Sequence, residues 1–378
     1  MDSRIKRLAI FGSTGSIGRQ TLDVVRSFPH KIQVVALAGG KNIDLLRKQA
    51  GEFKPRFLFC QTDHNEQPVE LSSGKYEFLS LEEMARLPEV DLVVVATSGK
   101  VGLSPTLAAI GAGKNIALAN KEVLVMAGKI VMERAKQQGT EVLPLDSEHS
   151  AIWQCLQGEQ REAVSELILT ASGGPFHNRS PEELAQVTPE EALEHPTWQM
   201  GRKVTIDSAT LMNKGMEAIE AHWLFDLPLE HIRMVVHPQS IVHSMVKFAD
   251  GSVKAQLSPP DMRLPIQYAL SYPERWSNNQ VSEIDWSSIG ALIFKTTNMK
   301  LFPCLGLAIE AGKAGGTYPA VLCASDEVAV ELFLLHRINF PDIATMVGSA
   351  LNRHQSISHP SQEGMMSPCI SGSASVNH

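Results

Sequence analysis

The strongest constraint on the fold lies in the first 150 residues, where short apolar runs alternate with longer stretches of mixed polar and apolar residues. Apolar runs that indicate strands occupy residues 7–12, 33–40, 91–97, 115–120 and 141–146. The stretches between them have the length and composition of helices. Short apolar strands that alternate with helices are typical of a parallel, doubly wound sheet. The sequence therefore predicts an α/β fold with an N-terminal Rossmann-type sheet.

After residue 150 the pattern changes and predicts further domains. A strand runs into a glycine turn at 165–174, and residues 240–258 have the pattern of a β-hairpin. Between them, SPEE at 180–183 and TPEE at 188–191 are typical helix starts. Mixed strands and helices indicate a central α+β domain. The predicted boundaries are 1–146 for the N-terminal domain, 147–274 for the central domain, 275–300 for a linker, 301–352 for a small C-terminal helical domain and 353–378 for a flexible, serine-rich tail.

Charge and cysteine content limit the partners. The formal net charge is −7, which argues against nucleic acid or an anionic membrane surface as the main partner. We expect no membrane segment, because no apolar run approaches the roughly 18 residues that a spanning helix needs. The start has too short an apolar core for a secretory signal. The five cysteines form no CxxC pair, so we expect reduced thiols and a cytoplasmic protein.

A glycine-rich turn follows the first predicted strand. Gly12, Gly15 and Gly18 are spaced GxxGxxG and stand between a strand and a helix. Glycines in this position allow backbone N–H groups to approach a pyrophosphate at the helix N-terminus. The context favours a dinucleotide site, and the alternative is a glycine-rich turn that binds no ligand.

The end of the second predicted strand indicates which dinucleotide binds. Folds that prefer NAD usually place an acidic residue there, which binds the ribose 2′-hydroxyl. This chain instead has Gly39, Gly40, Lys41 and Asn42. A cation without an acid suits a 2′-phosphate, so the sequence predicts NADPH.

Two acidic residues stand at the end of the fifth predicted strand. If the segment stays extended, Asp146 and Glu148 point to the same side, at the sheet edge where such folds bind ligands. Adjacent carboxylates repel unless a proton or a cation lies between them, and carboxylate oxygens suit Mg²⁺ or Mn²⁺. The alternative is a solvated turn with no ligand.

A second polar cluster lies on a predicted helix within residues 205–225. Asn213 and Glu217 are spaced i, i+4, and Lys214 and Glu217 are spaced i, i+3. One helix face therefore carries an amide, an ammonium and a carboxylate, with Ser208 just upstream. The alternative for Lys214 and Glu217 is an ordinary surface ion pair.

Several long segments in fixed order are similar to those of one enzyme family. They are GSTGSIG, LANKE, LPLDSEHSAIWQ, TASGGPF, HPTWQMGRKVTIDSATLMNKGMEAIEA and HPQSIVHSMV, in register from about residue 7 to about residue 345. Together they resemble the 1-deoxy-D-xylulose 5-phosphate reductoisomerase family. The resemblance implies NADPH- and divalent-metal-dependent rearrangement and reduction of that sugar phosphate to 2-C-methyl-D-erythritol 4-phosphate, in non-mevalonate isoprenoid biosynthesis. It also implies a homodimer built on the 240–258 sheet.

The resemblance also implies roles for individual residues. Asp146, Glu148 and Glu217 resemble the divalent-metal ligands, and with Lys121 and His195 they form the implied catalytic set. His195, Trp198 and Met200 resemble part of a mobile lid over residues 175–202. The implied substrate-binding residues are Lys121, Ser147, Glu148, Ser172, His195, Ser208, Asn213, Lys214 and Glu217. The implied NADPH contacts are Thr14, Gly15, Ser16, Ile17, Gly40, Lys41, Asn42, Asn120, Glu122 and Gly201.

Two other functions stay open at this point. An NADP-dependent semialdehyde dehydrogenase would need a nucleophilic cysteine, for which Cys155 is the plausible position. A non-catalytic dinucleotide-binding sensor would keep the glycine turn but would have no use for three acidic metal ligands.

Overall fold

A computed structural model of the protein describes residues 5–60, 76–198 and 200–357. The chain divides into two compact units, each assembled from separate segments. Unit 1 consists of Met1–Val123, Ile130–Ser150 and Asp261–Ser282, and unit 2 consists of Leu124–Lys129, Ala151–Pro260 and Glu283–His378.

Unit 1 contains the parallel sheet that the sequence predicts. Its strands are β1 Lys6–Phe11, β2 Ile32–Gly39, β3 Phe57–Cys60, β4 Glu77–Phe78, β5 Leu92–Val95, β6 Asn115–Leu118 and β7 Val142–Pro144. Within the described residues the order is β4-β3-β2-β1-β5-β6-β7, and every neighbouring pair is parallel. β3 and β4 are not predicted from the sequence, because runs of four and two residues are too short to show a period.

Helices follow the strands of this sheet. They are α1 Ser16–Ser27, α2 Ile43–Phe53, α3 Leu81–Ala85, α4 Leu103–Gly111, α5 Lys121–Gln138 and α6 Ser147–Cys155, the last two with residues in both units. The central strands are covered on both faces, so successive residues such as Leu8, Ala9 and Ile10 are all fully buried. This explains why these strands appear in the sequence as continuous apolar runs rather than as alternating ones.

Unit 2 contains a mixed sheet. Its strands are β8 Val164–Ala171, β9 Ile232–Val236, β10 Val242–Phe248, β11 Val253–Leu257 and β12 Lys295–Thr296. In the described part of the chain their order is β11-β10-β8-β9-β12, with β8 and β9 parallel and the other pairs antiparallel. The predicted hairpin is confirmed, because β10 and β11 pair around a turn at Gly251.

Unit 2 also holds two groups of helices. They are α7 Pro181–Leu184, α8 Pro189–Leu193, α9 Arg202–Thr210 and α10 Met212–Phe225, and α12 Pro303–Ala314, α13 Tyr318–Leu334 and α14 Asp342–Arg353. The predicted starts of α7 and α8 are confirmed, each with a capping box and proline in the first turn. α10 packs closely on α12, since a Cβ on Gly215 would lie 2.4 Å from the Cβ of Ala308. The predicted C-terminal helical domain, which contains α12, therefore packs against α10, the helix that carries Asn213, Lys214 and Glu217.

One helix, α11 Arg263–Ser271, differs from the predicted division of the chain. The sequence predicts residues 261–274 as part of the central domain, whereas the structure groups Asp261–Ser282 with unit 1. α11 packs on α1, and Lys6 donates to the carbonyl oxygen of Leu270 at 2.6 Å. A contact between residues so far apart in the chain leaves no local pattern.

The start of the predicted tail is attached to α13. The ring Nε2 of His354 lies 2.7 Å from Oγ1 of Thr317, and the N–H of Ile357 donates to the same hydroxyl at 3.1 Å. The rest of the predicted tail, from residue 358, lies outside the described residues. Among the residues that are described, no helix has both the length and the apolar character for crossing a membrane.

Candidate functional site

The glycine turn has two structural requirements besides any ligand. Gly12 has φ +83°, and a Cβ there would lie 2.3 Å from the carbonyl oxygen of Ala96. A Cβ on Gly18 would lie 2.2 Å from the oxygen of Gly12. These two glycines are therefore needed for the backbone itself, because other residues would clash.

The third glycine lies where an anion would bind. Gly15 is the exposed N-cap residue of α1, and among the described residues no side chain caps that helix. The first turn of α1, which includes Ser16 and Ile17, contains no acidic residue. The N–H groups and the positive end of the helix dipole suit a pyrophosphate.

The predicted 2′-phosphate segment lies at the end of β2, next to β1. Gly40 has open space where a Cβ would stand, and Lys41 and Asn42 are exposed. The Oδ1 of Asn42 accepts the N–H of Leu45 at 3.1 Å, so this residue also caps α2. Since β1 and β2 are parallel neighbours, this segment and the glycine turn lie at the same edge of the sheet.

At the same edge, the ends of β6 and β7 bring together a lysine and two acidic residues. The Nζ of Lys121, a buried residue at the start of α5, donates to Oδ2 of Asp146 at 3.1 Å. The hydroxyl of Ser147 donates to Oε2 of Glu148 at 2.6 Å. Asn120 caps α5 by accepting the N–H of Val123 at 3.2 Å. Lys121 therefore partly compensates the charge of Asp146.

The expectation that residues 146–148 stay extended is wrong. β7 ends at Pro144 and α6 begins at Ser147, so Glu148 lies in the first helical turn. Carboxylates are stabilised there by the helix dipole. The helix also places His149, with its Nδ1 3.9 Å from Oδ2 of Asp146. His149 is not predicted from the sequence, because its i, i+3 spacing from Asp146 matters only on a helix.

In unit 2, α10 presents the predicted cluster of amide, ammonium and carboxylate. The Nδ2 of Asn213 donates to Oε1 of Glu217 at 2.5 Å, and the Nζ of Lys214 pairs with Oε2 of Glu217. Lys214 is 4% exposed and Glu217 1% exposed. These values exclude a surface ion pair, because both charges lie away from bulk water. Ser208 is buried on the preceding helix α9.

Ser172 and His195, also in unit 2, contact each other. The Oγ of Ser172, just after β8, lies 3.0 Å from Nε2 of His195. The Nδ1 of His195 accepts the N–H groups of Thr197 at 3.1 Å and Trp198 at 2.9 Å. An accepting Nδ1 carries no proton, so Nε2 carries it and donates to Ser172. Burial lowers the pKa of His195, which favours this neutral form.

The predicted lid segment borders a cavity of about 610 Å³ in unit 2. Its lining includes His195, Trp198, Met200 and, on α9, Thr205. The ring of Trp198 lies 6.2 Å from the ring of the buried His243. Gly201, near the end of the lid segment, is the N-cap of α9. A large apolar side chain thus stands beside a histidine donor at the cavity.

The fold and these side chains define an α/β dinucleotide-binding oxidoreductase with an acidic, lysine-containing site. Family models match three stretches: 1-deoxy-D-xylulose 5-phosphate reductoisomerase at residues 8–128, its C-terminal domain at 142–225, and the DXP reductoisomerase C-terminal domain at 257–367. The chain belongs to the 1-deoxy-D-xylulose 5-phosphate reductoisomerase family.

Individual relatives cover nearly the whole chain. The 1-deoxy-D-xylulose 5-phosphate reductoisomerase of Caldanaerobacter subterraneus subsp. tengcongensis is 53% identical over 371 residues, covering 96% of each chain. That of Heliobacterium modesticaldum is 54% identical over 362 residues, covering 93% of this chain and 91% of its own.

Solved structures show the same fold. A DOX-P reductoisomerase in complex with NADPH, fosmidomycin and magnesium is 40% identical, has a TM-score of 0.93, and covers 99% of this chain and 98% of its own. The Zymomonas mobilis enzyme in complex with NADPH is 39% identical with a TM-score of 0.91 and the same coverage. These matches confirm the predicted fold class.

Proposed function

We infer that this chain converts 1-deoxy-D-xylulose 5-phosphate to 2-C-methyl-D-erythritol 4-phosphate, using NADPH and a divalent cation. The observation that carries the inference is the arrangement of Lys121, Asp146 and Glu148 at the carboxyl ends of β6 and β7, in a chain 53% identical to a reductoisomerase over its length. When bound, the cation acts as a Lewis acid on the substrate oxygens and NADPH supplies the hydride.

The donor set suits a hard divalent cation. We propose Asp146, Glu148 and Glu217 as the metal ligands. Carboxylate oxygens are the preferred ligands of Mg²⁺ and Mn²⁺. A cation would also offset the negative charge that Lys121 only partly compensates.

The edge of the parallel sheet suits NADPH. We propose that the N-terminus of α1 binds the pyrophosphate and that Lys41 binds the 2′-phosphate. Asn42 caps α2 through its oxygen, which leaves its amide nitrogen as a donor toward the ribose. We propose as NADPH contacts Thr14, Gly15, Ser16, Ile17, Gly40, Lys41, Asn42, Asn120, Glu122 and Gly201.

Unit 2 carries most of the proposed substrate contacts. Ser172, Ser208, Asn213 and Lys214 offer hydroxyl, amide and ammonium donors for the phosphate and hydroxyl groups. Lys214 brings its charge from a buried position, where it acts more strongly than in water. We propose the substrate-binding set Lys121, Ser147, Glu148, Ser172, His195, Ser208, Asn213, Lys214 and Glu217.

The lid has a physical role in this reaction. A rearrangement that cleaves and re-forms a carbon–carbon bond needs its fragments held in place and shielded from water. Trp198 offers an apolar cover, and neutral His195 offers a donor. We propose that residues 175–202, with α7 and α8, close over the bound substrate.

The cysteine that the rival dehydrogenase would use is not a suitable nucleophile. Cys155 is buried on α6, and burial raises its pKa to about 11, so at neutral pH it is a thiol rather than a reactive thiolate. A non-catalytic sensor would have no need for the buried Lys214–Glu217 pair beside Asn213.

The decisive experiment is a turnover assay. The purified protein is mixed with 1-deoxy-D-xylulose 5-phosphate, NADPH and Mg²⁺ or Mn²⁺, and NADPH oxidation and the product are measured. We expect oxidation only when both sugar phosphate and metal are present. Oxidation that persists in excess chelator, or a product with an unrearranged carbon skeleton, would contradict the proposal.

Three further assignments accompany this function. We propose that the protein is cytoplasmic, and that it forms a homodimer through the 240–258 sheet, in which β11 is an exposed edge strand. Light scattering of the purified protein tests the dimer. We also propose that residues 1–146 bind NADPH, that 147–274 carry the metal and substrate, that 275–300 link them to the helical domain at 301–352, and that 353–378 form the tail.

A further inference from the structure

Lys203 lies between two buried carboxylates in unit 2. Its Nζ is 2.6 Å from Oδ2 of Asp207, one turn later on α9, and 2.7 Å from Oδ2 of Asp326 on α13. The side chains of Asp207 and Asp326 are 1% and 0% exposed, whereas that of Lys203 is 27% exposed. One ammonium therefore joins two carboxylates that water scarcely reaches.

Lys203 brings a positive charge to a cluster that also contains a buried thiol. The Cys304 thiol on α12 is near both aspartates; burial first, and then the charges of Asp326 and Asp207, raise its pKa, so it stays neutral. Both aspartates form ion pairs with Lys203. Loss of the ammonium would remove a compensating charge from two buried carboxylates, which is costly.

The cluster lies at the base of the proposed lid. The lid segment ends at Arg202, the first residue of α9, and Lys203 is the second residue of that helix. Thr205 on the same helix lines the cavity together with His195 and Trp198. The ion pairs therefore fix the first turn of α9 against α13 at the point where the lid segment joins the helix.

We propose that Lys203 is a positioning residue for lid closure over the sugar phosphate. By joining α9 to α13 it holds the attachment point of residues 175–202 in the geometry that favours the closed lid. Lys203 acts through the lid and not through contact with the reacting atoms. The inference rests on the proposed function and adds to it a residue outside the proposed substrate set.

The test compares variants that break the link with variants that keep it. Lys203→Met removes the ammonium, and Asp326→Ala removes its partner on α13. Lys203→Arg keeps a cation, and Asp326→Asn keeps an oxygen that accepts from Lys203. The matched control is Glu327→Gln, because Glu327 is the exposed neighbour of Asp326 on the same helix.

We expect a selective change in the Michaelis constants. Lys203→Met and Asp326→Ala should raise KM for 1-deoxy-D-xylulose 5-phosphate at least about fivefold and change KM for NADPH less than about twofold. Lys203→Arg, Asp326→Asn and Glu327→Gln should stay within about threefold of the unmodified protein in both constants. A role in stability alone would lower the melting temperature and leave the KM for sugar phosphate unchanged.

Several outcomes would overturn the inference. One is a folded Lys203→Met or Asp326→Ala protein with an unchanged KM for the sugar phosphate, and another is an equal rise in both Michaelis constants. If Lys203→Met does not fold, the comparison of Asp326→Ala with Asp326→Asn decides. Turnover by the unmodified protein tests the proposed function separately, so failure of the two ideas can be told apart.

Discussion

The Nε2–H of His195 donates to the hydroxyl of Ser172 across 3.0 Å, while the opposite ring nitrogen accepts two backbone N–H groups. The imidazole therefore joins the lid segment to the end of β8 only in its neutral form. A second proton on Nδ1 would face the N–H groups of Thr197 and Trp198 and would break this turn.

Acid should weaken substrate binding through His195. Burial lowers its pKa from the ordinary 6.5, so the unfolded chain takes up the proton more readily than the folded one. The contribution of the neutral imidazole to the stability of the folded state is fully present above pH 6.5. It is lost as the pH falls from there toward the lower pKa of the folded protein. We expect KM for the sugar phosphate in the unmodified protein to rise as the pH falls toward the lowered pKa, where His195 of the folded protein takes up a proton.

The control for this prediction is His195→Asn. Its amide oxygen can accept the same two N–H groups, but it does not titrate. The substrate phosphate titrates equally with both proteins, so the readout is the difference between their pH profiles. Parallel profiles would show that His195 is not the titrating group.

Metal dependence should follow the three proposed ligands. Asp146→Asn and Glu217→Gln should each lose most activity at saturating Mg²⁺, because an amide is a neutral and poorer ligand for a hard cation. NADPH binding, measured by fluorescence titration, should be retained. The exposed Glu133→Gln on α5 controls for the loss of a charge. Near-normal turnover by Asp146→Asn would remove it from the ligand set.

Phosphate recognition should depend on Lys214. Lys214→Ala should weaken binding of the phosphorylated substrate by about 1.5–3 kcal/mol, the range of a hydrogen bond to a charged group. Binding of the dephosphorylated sugar should change less, because it lacks the anion. Calorimetry with both sugars gives the ratio. A ratio equal to that of the unmodified protein would assign Lys214 only to its partner Glu217.

One acidic residue at the end of β2 should reduce or invert the preference for NADPH over NADH. We expect kcat/KM to favour NADPH over NADH at least about tenfold, the equivalent of one charge-assisted contact. Gly40→Asp should reduce or invert this ratio by repelling the 2′-phosphate. Gly40 suits the test because its Cβ would meet nothing within 4 Å, whereas a Cβ on Gly39 would lie 3.2 Å from Leu46 and Thr14. Equal use of both cofactors by the unmodified protein would exclude a role for Lys41.

Two helical glycines should respond in opposite directions to alanine. Gly18→Ala would place a methyl group against the oxygen of Gly12, so we expect a loss of about 1–3 kcal/mol in the free energy of unfolding. Gly111→Ala on α4 meets nothing within 4 Å and should gain about 0.5–1 kcal/mol. Denaturant melts measure both. A neutral Gly18→Ala would show that the turn can relax.

Local patterns in the sequence predict much of this molecule. The parallel strands and the helix-start motifs are confirmed because each depends on residues close together in the chain. The spacing of Asn213, Lys214 and Glu217 likewise predicts one helix face. Their burial is not predictable from that spacing, because it depends on helices that pack around α10 from elsewhere in the chain.

The features that the sequence does not predict correctly are those that local patterns do not show. The acidic pair at Asp146 is interpreted as extended because the preceding run is a strand, whereas the chain turns into α6 two residues later. The ion pair between Lys203 and Asp326 joins α9 to α13, far along the chain. The packing of α11 on α1 likewise joins two helices that are far apart in the sequence. No periodicity within a window of sequence records such contacts.

The position of α11 has a consequence for how this protein is synthesised. Once the first 150 residues have left the ribosome, every described strand of the parallel sheet is available, but the face of α1 that α11 covers still lacks its partner. Unit 1 can be completed only after Asp261–Ser282 has emerged, with most of unit 2 already translated. The nascent chain therefore has to carry an unfinished nucleotide-binding sheet while the intervening segment folds, and that interval is when chaperones would have an apolar surface to protect.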